Sequence, residues 1–471
     1  MLATRVNRLL ISASVVIVLL AGCKGHSSSS LPAVDTNWSW QGGTEVSGNL
    51  GNYISMGSTT STGMPSGRVG AMSWLDSTGQ FWVFSGTGGA NDMWSFNTST
   101  LQWTWEAGTA TVTLPSPGVY NTPIGTATAT NLPGQRSSGA TWVDSSGKFW
   151  MFGGYGYDVN SLSGYLNDLW SFNPATKWWT WEGGGSSAGA LAATPDWGVL
   201  GQAAASNQPN PRSNSAYWKS GGNFYMFGGT GLIPVNGVQT TGVQNDLWQY
   251  NPTTNLWTWL GGTTNLNPVG IYGTKSTYVA GNIPGGRQGA TTWTDSAGDI
   301  WLFGGLGIDS VNGNGYLNDL WVYHPGSNEW VWMNGSDTIN SLGVYGTNAV
   351  GAATNQPGAR TGSVGWIDAS NNLWLFGGYG INYAGSTVVL NDLWEYVYAT
   401  QEWVWVNGSY YGNTSGVYGT LGALSQYNMP GARYSASAWQ DSAGYFWMFS
   451  GNGFDALGTN GRLNDVWRFF P

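Results

Sequence analysis

The sequence has very few of the residues on which most catalytic and metal sites depend. Its 471 residues include a single cysteine, Cys23, and only two histidines, His26 and His324. A disulfide bond within one chain needs two cysteines, so none can form. Two histidines cannot supply a histidine-based zinc site, and we find no Ser-His-Asp or Cys-His set around them. These scarcities exclude several common classes of enzyme.

Charged residues are also scarce, at 8% of the chain. There are 15 Lys and Arg against 24 Asp and Glu, which gives a formal net charge of −9. Nucleic-acid binding depends on clustered positive charge, so we expect no nucleic-acid partner. Disordered chains have few aromatic residues, whereas 15% of this chain is aromatic, enough to build a core.

The N-terminal segment resembles a bacterial lipoprotein signal. Arg5 and Arg8 precede an apolar stretch at 9–21, which is too short to cross a bilayer. It ends in Leu-Ala-Gly-Cys23, which is similar to the lipobox; the alternative is an ordinary signal peptide that happens to contain a cysteine. The resemblance implies a signal peptide at 1–23, lipidation of Cys23 and a flexible tether at 24–33.

This resemblance also implies a location. Lys24 stands where lipoproteins retained in the inner membrane often carry Asp, so we expect an outer-membrane lipoprotein of the bacterial cell envelope. The lipid would be the only contact with the membrane.

The rest of the chain is a sixfold repeat. Asn-Asp-x-Trp recurs at Asn91, Asn167, Asn245, Asn318, Asn391 and Asn464. Each copy follows a Pro-x-x-Arg, a Trp and an aromatic run that ends in Phe-Gly-Gly or Phe-Ser-Gly, and a Trp-x-Trp normally closes the unit. The sixth unit lacks its Trp-x-Trp, and a spare one stands at Trp38 and Trp40. Trp40 precedes Arg68 by 28 residues, the spacing found from Trp259 to Arg287, which predicts a ring closed by the N-terminal strand.

Each unit reads as four antiparallel strands. In the second unit, a run of small residues at 136–142 precedes a turn, and the apolar run 149–152 is typical of a strand buried on both faces. Residues 167–172 alternate polar and apolar, and 179–181 place two indoles on one face. Units of this kind bury little alone and need neighbours.

The order of Phe-Gly-Gly, an aromatic third strand and a Trp on the fourth resembles the kelch repeat. The resemblance implies an all-β, six-bladed β-propeller of four-stranded antiparallel blades over 34–471. The units are about 73 residues long, against about 50 in kelch repeats. The excess lies in inserts that carry a Gly-x-Tyr-Gly pattern, and we expect these inserts to be ordered. A propeller enzyme of this architecture, galactose oxidase, has a copper site of Tyr, His and Cys, which this chain cannot build, so we expect no cofactor and no metal.

The loops after the second and fourth strands are long and open on one face of such a propeller. We therefore expect any ligand site on this loop-rich face. The first unit has only the short loop Thr87–Ala90 there, which predicts a notch.

Most of the conspicuous residues belong to the repeat. Of 31 tryptophans, 29 occupy repeated positions; Trp178 and Trp197 do not, and Trp197 is a candidate ligand platform or a local packing residue. The six repeat arginines could attract an anion near the axis, but one Asp accompanies each, which favours pairing or turn capping. The structural set is Arg68, Arg136, Arg212, Arg287, Arg360, Arg433, Asp92, Asp168, Asp246, Asp319, Asp392 and Asp465.

Four further residues share one place after the glycine pair: Asp158, Asp309, Asp455 and, in the fifth unit, Asn382. They are candidate ligand or cation contacts, although the regular calcium-loop spacing is absent. The alternative is that they cap their own loops.

Together these features predict a monomeric, lipid-anchored binding or scaffold module for an unknown protein or glycan. One alternative is a carbohydrate-active or sugar-isomerising enzyme that uses loop aspartates. Another is an envelope protein whose loop-rich face only docks into a larger assembly. We expect no catalytic residues.

Overall fold

The described part of the chain consists of antiparallel β-sheets joined by turns and loops. The computed structural model describes residues 37–110, 114–189 and 196–471. The predicted signal peptide, Cys23 and the tether at 24–33 lie outside the described residues. Within the described ranges there is no α-helix, and hence no helix that is long and apolar enough to cross a membrane.

Each of the six repeats contributes an inner, a second, a third and an outer strand, paired in that order. The inner strands are Met72–Leu75, Ala140–Val143, Ala216–Ser220, Thr291–Thr294, Val364–Ile367 and Ser437–Gln440. The second strands are Phe81–Phe84, Phe149–Tyr157, Asn223–Val235, Ile300–Ile308, Leu373–Ile381 and Phe446–Phe449. The third strands are Met93–Asn97, Ser163–Asn173, Val238–Asn251, Asn314–His324, Thr387–Val397 and Val466–Phe469. The outer strands are Gln102–Ala107, Trp178–Gly183, Leu256–Gly261, Glu329–Asn334, Glu402–Asn407 and, for the sixth unit, Trp38–Gly42.

The sixth sheet joins the two ends of the described chain. Trp38–Gly42 pairs antiparallel with Val466–Phe469, with Trp38 opposite Phe469 and Trp40 opposite Trp467. Trp38 is fully buried. The N-terminal strand therefore takes the place that a Trp-x-Trp strand takes in the other five sheets.

The second and third strands of units two to five continue beyond the glycine pair as an extended hairpin. At Gly153 and Gly154 the backbone has φ values of 63° and 99°, a conformation that glycine adopts without strain, and the ladder bulges there. The extension of unit six is formed separately by Asn452–Phe454 and Asn460–Arg462. The first unit has no extension, because its second strand ends at Phe84 and its third begins at Met93.

Short strands add to these sheets. On the extended hairpins lie Arg136–Ser137, Arg212–Ser213, Arg287–Gln288, Arg360–Thr361 and Arg433–Tyr434. On the outer strands of the first three units lie Thr59–Thr60, Ala127–Thr128 and Ala203–Ala204. The described part of each insert that follows an outer strand folds back on itself through an antiparallel bridge such as Ile271 with Ile283 or Val344 with Gln356.

The apolar core lies between neighbouring sheets. Phe81 of the first unit stacks on Trp439 of the sixth at 3.8 Å between ring centroids, and Trp142 of the second stacks on Phe224 of the third at 5.2 Å. The inner strands contact one another in chain order, and the first also contacts the sixth. Each buried indole removes roughly 150–250 Å² from water, so sheets that would be unstable alone stabilise each other.

Candidate functional site

Each repeat arginine forms a buried ion pair with the repeat aspartate of its own unit. In the second unit, Arg136 Nη1 lies 2.6 Å from Asp168 Oδ1, and Arg136 Nη2 lies 2.8 Å from Asp168 Oδ2. Both side chains are fully buried. The other five units repeat this two-bond geometry. The arginines are therefore neutralised in place and present no free positive charge near the axis.

Two further donors complete the carboxylate in five of the six units. Oδ2 of Asp319 accepts a hydrogen bond from Trp321 Nε1 at 2.7 Å and from the Tyr272 hydroxyl at 2.7 Å. Burial and the charge of Asp319 raise the pKa of Tyr272, so its hydroxyl keeps its proton and donates. The tyrosine of Gly-x-Tyr-Gly thus fixes the insert to the ion pair. Tyr120, Tyr345 and Tyr418 do the same, as does Tyr53 from the first insert.

The third unit replaces this tyrosine. Trp197 takes the place of Tyr272: it is partly buried and packs in the same cluster as Trp259, against the outer strand. The space beside Arg212 is filled by Asn210, which hydrogen-bonds Arg212 Nη2 and exchanges hydrogen bonds with Gln244. Trp197, the candidate ligand platform, therefore packs between units two and three and not on the loop-rich face.

The four residues after the glycine pair cap the ends of their hairpins. Asp309 Oδ1 accepts hydrogen bonds from the backbone nitrogens of Val311 at 3.0 Å and Gly313 at 2.6 Å, and its Oδ2 accepts one from Ile339 at 3.0 Å. The first two bonds close the hairpin tip, and the third holds the loop that follows the outer strand.

Asp158 and Asp455 have equivalent contacts, and accept from the backbone nitrogens of Ala188 and Ser47 in the place of Ile339. Asn382 reaches the same loop in the opposite sense, because its Nδ2 donates to the carbonyl oxygen of Tyr411 at 2.8 Å. All four capping residues are buried. Although burial acts to raise it, the backbone hydrogen bonds from Ser47, Thr459 and Leu457 hold the pKa of Asp455 below its ordinary value.

No group of three or more His, Cys, Asp or Glu in the described ranges could hold a metal ion. His324 pairs instead with Asp299, at 2.9 Å between Nδ1 and Oδ1, on the face of the tight turns.

The axis is lined by the inner strands and is nearly free of charge. A cavity of about 360 Å³ there has mostly small lining residues, among them Ser73, Thr292, Ser363 and Ala438. Tyr217 stands where the other units carry Ser, Thr, Gly or Ala, and its ring narrows the passage. Burial raises the pKa of Tyr217, so the hydroxyl remains neutral.

A row of polar and aromatic side chains, some exposed and some partly buried, crosses the extended hairpins of units four, five and six on the loop-rich face. Tyr316, Tyr379 and Tyr434 come from units four, five and six, and their ring centroids lie 5.8 Å and 5.6 Å apart. Tyr434 lies opposite Asn452, which lies opposite Arg462 on the next strand, so all three share one face of the sheet. We call Tyr316, Tyr379, Tyr434, Asn452 and Arg462 the tyrosine row.

The tyrosine row ends at the predicted notch. Arg462 is exposed and lies against the short loop of the first unit, where a Cβ on Gly88 would lie 2.5 Å from Arg462 Cδ. No carboxylate in the described ranges is within ion-pair distance of it. The tyrosine row was not predicted from the sequence. The Gly-Gly-Tyr at Tyr379 could have indicated it, because the residue after a glycine pair is the first residue of the extended hairpin.

Comparisons with known proteins give the fold but not the activity. No protein-family model matches the sequence, and no curated protein matches it. Among solved structures the chain is similar to that titled "Structure of YjhT", a kelch-type β-propeller, at 14% identity and a TM-score of 0.50. The match covers 86% of this chain and 95% of that one.

Proposed function

We propose that this protein is a binding module: a closed, six-bladed kelch-type propeller that holds a glycan on the tyrosine row of its loop-rich face. The six repeated sheets, the contact between the first and sixth inner strands and the likeness to YjhT support the closed propeller. The N-terminal lipobox motif supports attachment to the outer membrane of a bacterial cell through lipidated Cys23.

The tyrosine row is the observation that carries the proposal. Tyrosine offers a rigid apolar ring and a polar tip, a combination suited to ligands that have both apolar faces and hydroxyl groups. The three rings lie at 83° and 41° to one another, so a ligand that contacts all three must extend along the row, as an oligosaccharide does. Arg462 and Asn452 at the end of the row supply hydrogen-bond donors, so a glycan that carries a carboxylate is the preferred ligand.

The alternative of an enzyme that uses loop aspartates gains no support. The oxygens of Asp158, Asp309 and Asp455 accept hydrogen bonds from backbone N–H groups of their own hairpins and of the loops that follow the outer strands. A general acid or base must reach a substrate, and these buried carboxylates already have structural partners.

A glycan array probed with the full chain in detergent tests the proposal. We expect binding to acidic oligosaccharides that falls at least tenfold in Tyr379→Ala and in Arg462→Ala. Tyr427→Ala is the matched control, because Tyr427 is 73% exposed but lies in an insert away from the row. Unchanged binding in both row variants, or turnover of a sugar that is lost in Asp309→Ala, would overturn the proposal.

A further inference from the structure

A cavity of about 290 Å³ opens in the side wall between units three and four. Its apolar lining includes Leu247, Leu260, Ile283 and Trp330, and its polar lining includes Asn282. Asn282 is only 6% exposed, yet neither its amide nitrogen nor its amide oxygen has a hydrogen-bond partner. A buried amide without partners is destabilising, so Asn282 offers an unsatisfied donor and an unsatisfied acceptor to a polar ligand in this cavity.

The equivalent asparagines in four other units are bonded. Nδ2 of Asn131, Asn207, Asn355 and Asn428 donates to the carbonyl oxygen of the first tryptophan of the outer strand, at 2.9–3.2 Å. In unit four that tryptophan is Trp330, and Asn282 makes no such bond. The first unit has Gly63 at this position and thus no amide to satisfy.

The neighbouring units also show what fills this place. Ala203–Ala204 pairs antiparallel with the outer strand of unit three, opposite Thr258 and Trp257. Ala127–Thr128 and Thr59–Thr60 do the same in units two and one. The cavity that remains in unit three, lined by Asn207 and Trp257, has only about 150 Å³.

Unit four has Tyr278 and Val279 where unit three has the two alanines. Tyr278 is 48% exposed and lines the cavity beside Glu329, which raises the pKa of the Tyr278 hydroxyl. No strand of the described chain pairs with the outer edge of Glu329–Asn334. The chain's own insert reaches this edge, because the Ser276 backbone N–H donates to the Trp332 carbonyl oxygen at 2.8 Å, but Tyr278 and Val279 do not pair with it. The edge is therefore open beside Val331 and Trp330, where two small residues of extended chain would fit.

We propose that this cavity binds a short extended peptide of small residues from a partner protein, which adds a strand to the outer edge of unit four. Backbone pairing to an exposed sheet edge supplies affinity in this mode of recognition, and the pocket selects the side chains. Asn282 Nδ2 then gains an acceptor, as Nδ2 of the equivalent asparagines has. The partner's peptide takes the place of the two-residue strand that the chain itself supplies in units one, two and three.

The charge of the cavity lining restricts which peptide sequences can bind. Glu329 is the only charged residue that lines the cavity. A neutral or basic segment is complementary to this carboxylate, whereas an acidic one is repelled. The preferred peptide is thus rich in Ala, Ser, Thr or Gly and carries no Asp or Glu.

A fluorescently labelled peptide that copies residues 200–208, the segment that fills unit three, is the probe. Its binding to the full chain is measured by fluorescence anisotropy. The comparison peptide carries N-methyl groups on the two alanines that correspond to Ala203 and Ala204, which removes two backbone donors. We expect the N-methylated peptide to bind at least tenfold more weakly.

The double variant Tyr278→Ala with Val279→Ala gives unit four the alanine pair of unit three. We expect its own chain to close the edge, so that peptide binding falls at least tenfold while the melting temperature is unchanged or higher. Leu424→Ala with Ser425→Ala changes the same two positions in unit six, where Asn428 is already bonded, and should leave binding intact. No binding of the parent peptide, equal binding of the N-methylated peptide, or full binding to the Tyr278 variant would each overturn the proposal.

Discussion

At the scale of single residues, the molecule depends on six buried Arg–Asp ion pairs. Asp392 receives Arg360 on both oxygens, and Trp394 and Tyr345 on Oδ2. A buried ion pair adds little net stability over an apolar pair, but the loss of one partner leaves an uncompensated charge. Replacement of one partner should therefore lower the free energy of unfolding by more than the ion pair itself contributes to it.

A double-mutant cycle on Arg136 and Asp168 tests this coupling. Each single alanine variant should lose about 3–5 kcal/mol of unfolding free energy, and the double variant much less than the sum. Denaturant unfolding followed by tryptophan fluorescence measures all three. The exposed Arg462→Ala is the control and should change stability by less than about 0.5 kcal/mol. A coupling energy near zero would contradict the pairing.

Glu395 predicts a pH dependence. Desolvation, together with the charge of Asp368, raises its pKa from 4.5 to about 7, against the opposing hydrogen bond from Asn372. The folded chain then holds this proton more tightly than the unfolded chain, so stability falls as pH rises from about 4.5 to about 7. Glu395→Gln keeps an acceptor for Asn372 and should match the parent near pH 4. Above about pH 8 it should be more stable by roughly 1–3 kcal/mol. An equal difference at both pH values in denaturant titrations would contradict the assignment.

At the scale of elements, the hairpins of the loop-rich face are held by single capping side chains. Asp309 joins its own tip to the loop at Ile339, a contact that neither strand could make by itself. The capping residue therefore sets the shape of two loops at once.

Asp309→Ala should lose about 1–3 kcal/mol of unfolding free energy, because three backbone N–H groups lose their acceptor. Hydrogen exchange at Ile339 and Gly313 should accelerate, while exchange in the inner strands should not change beyond that global loss. Val311→Ala, at a 72% exposed position of the same hairpin, is the control. Slow exchange at Ile339 in the Asp309 variant would show that the cap is dispensable.

The sequence predicted these elements better than the contacts between them. Strand order, turns and the one-to-one matching of Arg136 with Asp168 follow from spacing within one unit. The hydrogen bond from the Tyr272 hydroxyl to Asp319 could not be predicted in this way. The two residues are 47 positions apart, and Tyr272 lies in an insert whose sequence is typical of a loop. The open edge beside Asn282 was also hidden, since it arises from the failure of Tyr278 and Val279 to pair, which no local pattern signals.

At the scale of the whole molecule, stability should depend on the strand Trp38–Gly42. Deletion of residues 34–43 removes the outer strand of the sixth sheet and uncovers Phe376 and Phe469, which pack on Trp38. We expect the melting temperature to fall by more than about 10 °C, since the loss exceeds a single core deletion. Trp178→Ala, at an indole that is 44% exposed, is the control for loss of a tryptophan. A truncated chain that melts like the full one would contradict both this role and the six-unit count.

The pairing of the first strand with the last also constrains the order of synthesis. Ser39 and Arg468, which hydrogen-bond across this seam, are 429 residues apart. At roughly 5–20 residues per second, about 20–90 s of translation separate them. The first strand emerges with two tryptophans and has no partner until residues 466–469 have been synthesised. The seam is therefore the last part of the molecule to fold, and throughout that interval the strand needs protection from pairing with other chains.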